Sequence, residues 1–252
     1  MHRFYVPPEL LNDSPIELPE GEAHHARDVL RLQPGDRLLI FDGEGRELSA
    51  TIDAVSRSAV SVSLGPKAQQ EPLPCQITLA QAIPKGKKMD WIIEKATELG
   101  AARVVPLISD RTIVRLDAEE AASKQAKWQQ TSIEAAKQCG QSHLPEISAP
   151  MSVKQFFVEL PRQDLRLLAS LQPAAQHLKE VLCELPVLPK SVTVMIGPEG
   201  DFTPAEMAMA RAEGCVPLSL GPIILRSETA AIYTLSILAH ELQHPRLAIS
   251  TV

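Results

Sequence analysis

The chain has only four cysteines, no excess of basic residues and no apolar run near the length of a membrane span. Cys75, Cys139, Cys183 and Cys215 are widely separated, which excludes both a CxxC metal pair and the dense framework of a small disulfide-stapled domain. A reducing, cytoplasmic setting is the expectation. The apolar stretch without charge at residues 229–239 is about half of the roughly 20 residues that cross a bilayer, and the N-terminus MHRFYVPPEL has no apolar signal core. With 25 Lys and Arg against 31 Asp and Glu, the net charge is -6, so no global basic field announces a nucleic-acid binder. Only residues 84–137 carry a basic excess, so any contact with nucleic acid has to be local.

Several catalytic signatures are also missing. No GxxxxGK[ST] and no GxSxG occurs, and Gly43-Glu44-Gly45 starts like GxGxxG but ends in Leu48 and opens no helix. His240-Glu241-Leu242-Gln243-His244 is a literal HExxH, which on a helix would put two histidines on one face for zinc. Pro245 follows at once and no third ligand lies downstream, so this reads as a polar helix end, and no metal is expected. His24 and His25 are adjacent, point in different directions on a helix, and read as surface or RNA-contacting residues.

What is present reads as two domains. Over residues 1–68 short alternating strands predict a small antiparallel barrel, interrupted by one helix in GEAHHARDVLR with Ala26, Val29 and Leu30 on its apolar face. Residues 66–74, PKAQQEPLP, read as the linker. From 74 to 248 the strands ITLAQAI, RVVPLIS, LRLLASL, SVTVMIG and VPLSLG alternate with helices, the texture of an α/β domain around a parallel sheet. MDWIIEKATELG is one such helix, with Gly100 just past its end, and residues 119–139 form a longer one.

Two glycine loops follow strands and precede helices. SVTVMI runs into Gly197-Pro198-Glu199-Gly200, and Thr203, Pro204 and Glu206 then spell a capping box with proline in the first turn. VPLSL runs into Leu220-Gly221-Pro222, an apolar hook Ile223-Ile224-Leu225, then Arg226 and a helix with Ser227 as its expected cap. Loops at the C-terminal ends of parallel strands expose backbone donors and acceptors to ligands. The apolar hook is expected either to be buried or to cover an apolar ligand face, and the place of Arg226 between polar loops favours a functional role.

GPEG followed by LGxxILRxETA, with His25, Val29-Leu30-Arg31, Pro34-Gly35-Asp36, Lys85-Gly86, Lys88-Met89, Thr97-Glu98-Leu99-Gly100 and Gln138-Cys139-Gly140, resembles the bacterial 16S rRNA uridine-N3 methyltransferases of the SPOUT superfamily, the RsmE family. The resemblance covers nearly the whole chain. It implies an α/β fold, a SPOUT-type trefoil-knotted parallel-sheet domain, behind an N-terminal PUA-like β-barrel that binds RNA. It further implies S-adenosyl-L-methionine as cofactor, held by Leu171, by Ile196, Gly197, Pro198, Glu199 and Gly200, by Leu220, Gly221, Ile224 and Leu225, and by Thr229 and Ala230.

Arg226 is then the expected catalytic residue, because a guanidinium stabilises negative charge but cannot act as a base. Arg3, Arg27, Arg31, Lys85, Lys87, Lys88 and Arg111 are the expected contacts to ribosomal RNA or the small ribosomal subunit, and a homodimer is expected. Asp201, Ile223, Gln141 and His143 depart from the family pattern, which commonly has glycine at the first and basic residues at the others. The alternatives are a SPOUT methyltransferase for another RNA and a non-catalytic RNA-binding ribosome-assembly factor.

Overall fold

The computed structural model describes residues 1–11, 14–159, 163–172 and 174–243. The chain divides into two compact units, Met1–Pro72 with Ile133–Leu144, and Leu73–Ser132 with the rest from Pro145. No helix among the described residues is long and apolar enough to cross a membrane.

The first unit is a five-stranded sheet of β1 (His2–Tyr5), β2 (Ile16–Glu17), β3 (Arg37–Phe41), β4 (Arg46–Val55) and β5 (Val60–Gln69), in the order β1-β3-β4-β5-β2. It is mixed, not wholly antiparallel as its alternation suggested, because β1 lies parallel to β3 at one edge. Alternate residues Leu48, Ala50 and Ile52 of β4 turn inward onto Phe4, Leu38 and Ile40. Strand β5 extends through Pro66 to Gln69, so the first part of the expected linker is sheet. Pro66 is tolerated there because the register between β4 and β5 slips between Leu48 and Ala50, leaving a bulge where no N–H is required.

The segment expected as one helix begins as α1 (Glu20–His24) and then widens into a π-helical turn, His25–Val29. The wider turn changes the spacing of side chains, so Ala23 and Ala26 are buried while Val29, expected on the apolar face, is 57% exposed. The returning segment Ile133–Leu144 is fastened by polar contacts. Lys137 Nζ lies 3.0 Å from Glu22 Oε1, and His143 Nε2 donates to the Gln70 carbonyl at 2.8 Å. Burial pushes the Glu22 carboxyl up, against the opposing pull of Lys137. Gly45, with φ of +94°, sits so close to the His143 ring that an added Cβ would stand 2.4 Å from it. His143 is thus a packing residue of this unit.

The second unit is an all-parallel sheet. Its strands are β6 (Gln76–Ala82), β7 (Ala101–Ile108), β8 (Glu146–Ile147), β9 (Met151–Ser152), β10 (Leu165–Ala169), β11 (Gln176–His177), β12 (Ser191–Ile196) and β13 (Val216–Ser219). They run β11-β13-β10-β12-β6-β7-β8, with β9 also on β7. The central strands are nearly continuously apolar because helices cover both faces. Ile77, Leu79, Val192 and Val194 face one core, and Ala80, Val105, Leu107 and Met195 the other.

Among its helices, α2 (Lys88–Glu98) buries Met89, Ile92, Ile93 and Ala96, an i, i+3, i+4, i+7 stripe, and Gly100 follows at φ +74° as the left-handed terminator. Helix α3 (Ala118–Cys139) is the long one, its residues from Ile133 on belonging to the first unit, and α4 (Val153–Glu159) and α5 (Leu178–Glu184) are short. Helices α6 (Pro204–Ala212) and α7 (Ser227–Leu242) each follow one of the two glycine loops.

Candidate active site

Strands β10, β12 and β13 are neighbours, and all run the same way. Their following loops therefore leave the sheet at one edge and converge. Together with the first turns of α7 they enclose a cavity of about 480 Å³, within the ~300–1,000 Å³ of small-molecule sites.

The loop after β12 is a tight turn in which the Asp201 N–H donates to the Pro198 carbonyl at 2.9 Å. Asp201 has φ of +63°, the left-handed region that glycine occupies freely and aspartate tolerates better than most residues. Its Oδ1 accepts the Phe202 N–H at 2.8 Å. Position 197 is tight, since a Cβ there would lie 3.3 Å from Asp201 Oδ1 and from the buried Phe202 ring, which would have to yield by a few tenths of an ångström. Thr203 caps α6 in the expected reciprocal box with Glu206. Glu206 Oε1 also accepts the Asp110 N–H at 3.0 Å, and Arg111 donates to the Gly200 carbonyl, so the loop after β7 braces the loop after β12.

The loop after β13 carries Gly221 at φ +105°. Ile223 and Ile224 are not buried; they are 74% and 76% exposed and line the cavity. Arg226, extended and exposed, is itself the residue that caps α7, without a side-chain cap bond. This corrects the expectation for Ser227, which lies inside the first turn and uses its hydroxyl elsewhere. Ser227 Oγ donates to the Gly197 carbonyl at 2.7 Å and accepts from Gln81 Nε2 at 2.8 Å.

Leu171, Ile196, Gly197, Pro198, Glu199, Leu220, Gly221, Ile224, Leu225 and Ala230 all line the cavity, as does Arg226. Gly200 and Thr229 do not. The cavity also takes in Ser170, Gln172, Asp201, Ser219 and Ser227, none of them expected there. Gln172 is held by Arg211 and by a contact of 3.1 Å to Met207 Sδ.

The basic residues expected on RNA divide by their partners. Lys85 and Lys87 are exposed, whereas Lys88 Nζ lies 2.9 Å from Glu228 Oε1 and 3.8 Å from Glu199 Oε1. In the first unit, Arg31 is exposed, Arg27 is paired with Asp28, and Arg3 is bound to Glu47 at 3.0 Å and to Ser142 Oγ at 2.7 Å, over the Phe41 ring. Arg3 is therefore held inside its own unit.

Burial pushes the Glu228 carboxyl up, but the hydrogen bond and charge of Lys88, a backbone N–H and Arg226 together outweigh this and hold it below the ordinary glutamate value. Among the described residues no group of three His, Cys, Asp or Glu is arranged to hold a metal. His240 lies on α7, and His244 lies outside the described residues.

Two family models match the chain, an RNA methyltransferase domain over residues 71–239 and an RNA methyltransferase PUA domain over residues 18–64. Ribosomal RNA small subunit methyltransferase E of Bacillus subtilis is 31% identical over 250 residues, 96% of this chain and 97% of that protein. The protein of the same name from Synechocystis is 32% identical over 93% of this chain and 76% of its own length. A Legionella pneumophila protein solved with bound cofactor SAM superposes with a TM-score of 0.87, at 36% identity over 96% of this chain and 98% of that one. Ribosomal RNA small subunit methyltransferase E from Neisseria gonorrhoeae, bound to S-adenosyl methionine, gives 0.85 at 30% identity, over 94% of this chain and 96% of that one.

Proposed function

The chain belongs to the RNA methyltransferase family of ribosomal RNA small subunit methyltransferase E, and from that footing we propose that it transfers a methyl group from S-adenosylmethionine to N3 of a uridine in 16S ribosomal RNA. The single observation that carries this reading is the cavity itself. Three loops at one edge of the parallel sheet wall a space of small-molecule size, with an arginine at its rim. The residues fit the cofactor. Backbone groups of the glycine loops suit an adenosine, the exposed Ile223 and Ile224 offer apolar cover, and Gly197 permits close approach of the backbone.

The cofactor supplies a methyl already activated on sulfonium sulfur, so the chain's task is alignment and management of one proton. With S-adenosylmethionine held by the loops, N3 would take the methyl while its imide proton passes to water, since the guanidinium at the rim cannot serve as a base. Deprotonation of the imide spreads negative charge over O2 and O4. The Arg226 guanidinium is exposed and makes no cap bond to α7, which leaves its donors available to that charge.

The substrate reading extends to partners. RNA or the small subunit is contacted through exposed Lys85 and Lys87 and through Arg27 and Arg31, and the working form is a homodimer. Nucleoside mass spectrometry of 16S rRNA from a strain lacking this gene tests the assignment. Loss of one 3-methyluridine supports it, and an unchanged modification pattern overturns it.

A further inference from the structure

Gln81 is a polar side chain in the middle of the parallel sheet, fully buried at the end of β6. Its Nε2 donates to the Ala82 carbonyl at 2.8 Å and to Ser227 Oγ at 2.8 Å. Because the serine oxygen already accepts from Gln81, its own proton is directed to the Gly197 carbonyl, 2.7 Å away. Three elements distant in sequence are joined by this chain of bonds: β6, the loop after β12, and the start of α7 where the loop after β13 ends. Gly197 and Ser227 both line the cavity, whereas Gln81 does not.

A buried amide in an apolar sheet costs stability where it is left unbonded; Nε2 of Gln81 is bonded twice while its Oε1 has no partner among the described residues, and backbone pairing of the strands does not require the side chain. We propose that Gln81 is a positioning residue, which acts through Ser227 to clasp the two glycine loops at the separation that binds S-adenosylmethionine. This rests on the functional reading above and names the residue that sets the geometry of its site. Without the amide, the Ser227 hydroxyl is free to rotate, the Gly197 carbonyl loses its directed donor, and the two loops are no longer tied.

The test compares Gln81→Met, Ser227→Ala and the double variant in the full-length protein. Cofactor affinity is read by titration calorimetry, and KM and kcat by methyl transfer to small ribosomal subunits. Gln81→Met keeps the length of the side chain and removes only its polar end. Each single variant is expected to raise Kd and KM for S-adenosylmethionine about tenfold, with kcat at saturating cofactor within about threefold. The double variant is expected to be little worse than either, because both break one chain of bonds.

Thr193→Val is the control for general damage. Its hydroxyl is as buried in the same sheet and has no hydrogen-bond partner among the described residues, so affinity should not change. Fully additive effects, an unchanged Kd in Gln81→Met, or an equal loss in Thr193→Val would overturn the positioning role while leaving the methyltransferase reading intact. A wild-type chain that binds no S-adenosylmethionine would overturn both.

Discussion

Lys88 and Glu228 form an ion pair of 2.9 Å, and the same ammonium lies 3.8 Å from Glu199, which lines the cavity. One lysine from the start of α2 thus ties the first turn of α7 to the loop after β12. It sets one positive charge against two carboxylates at this point.

The depressed Glu228 carboxyl gives this pair a pH signature. A carboxyl held below its ordinary value stabilises the fold above that value, 4.5 for glutamate, and the contribution is lost as the pH falls through the lower folded value. Lys88→Met should therefore cost up to about 1 kcal/mol at neutral pH, as partly exposed pairs do, and the gap to wild type should close in acid. Urea unfolding at about pH 7 and about pH 3 measures it. A gap that is the same at both values would show that the loss is packing and not charge.

Asp201 holds a left-handed backbone with φ of +63°. Replacement by valine should destabilise the protein by about 1–2 kcal/mol, because a β-branched side chain crowds the backbone in that region. Asp201→Gly should stay within about 0.5 kcal/mol, trading a relaxed backbone against greater freedom when unfolded. Thermal or urea unfolding of the two variants decides the point.

The four cysteines should separate into two classes. Burial pushes the Cys75 thiol up to about 12 and that of Cys215 up to about 11, whereas Cys139 and Cys183 are exposed. At neutral pH an aromatic disulfide reagent should modify Cys139 and Cys183 readily, and Cys75 and Cys215 only on unfolding. Mass mapping of the labelled native protein checks the order.

The Arg226 side chain is exposed and makes no cap bond to α7, so its truncation should leave stability almost unchanged. If it stabilises the uridine anion, Arg226→Ala should lower kcat by about 100-fold or more and keep the Kd for S-adenosylmethionine within about threefold. Equal loss of both would make it a cofactor-binding residue.

Thr203, Pro204 and Glu206 announce α6 in the sequence because a cap is a local device whose partners lie three residues apart. The five main strands of the parallel sheet are legible for a similar reason, since burial on both faces leaves continuous apolar runs. The glycine loops could be placed at strand ends, and most of the residues expected on the cofactor do line the cavity.

Long-range relationships are what local pattern does not carry. Ser227 looks like a cap, but its hydroxyl goes to Gly197 and Gln81, 30 and 146 residues away. Arg3 looks like a free cation but is spent on Glu47 and Ser142. Val29 fits a helical stripe only if the turn stays α-helical, and the π-turn moves it to solvent. The one sequence clue to Gln81 is a glutamine between two alanines near the end of a mostly apolar strand, a residue that needs partners the sequence does not name.

The most direct test is to incubate the purified chain with isotope-labelled S-adenosylmethionine and small ribosomal subunits from a strain lacking its gene, then digest the 16S rRNA to nucleosides for mass spectrometry. Labelled 3-methyluridine, formed by the wild type and nearly absent with Arg226→Ala, is the predicted result. Label on a different nucleoside, or no transfer by the wild type at all, would contradict it.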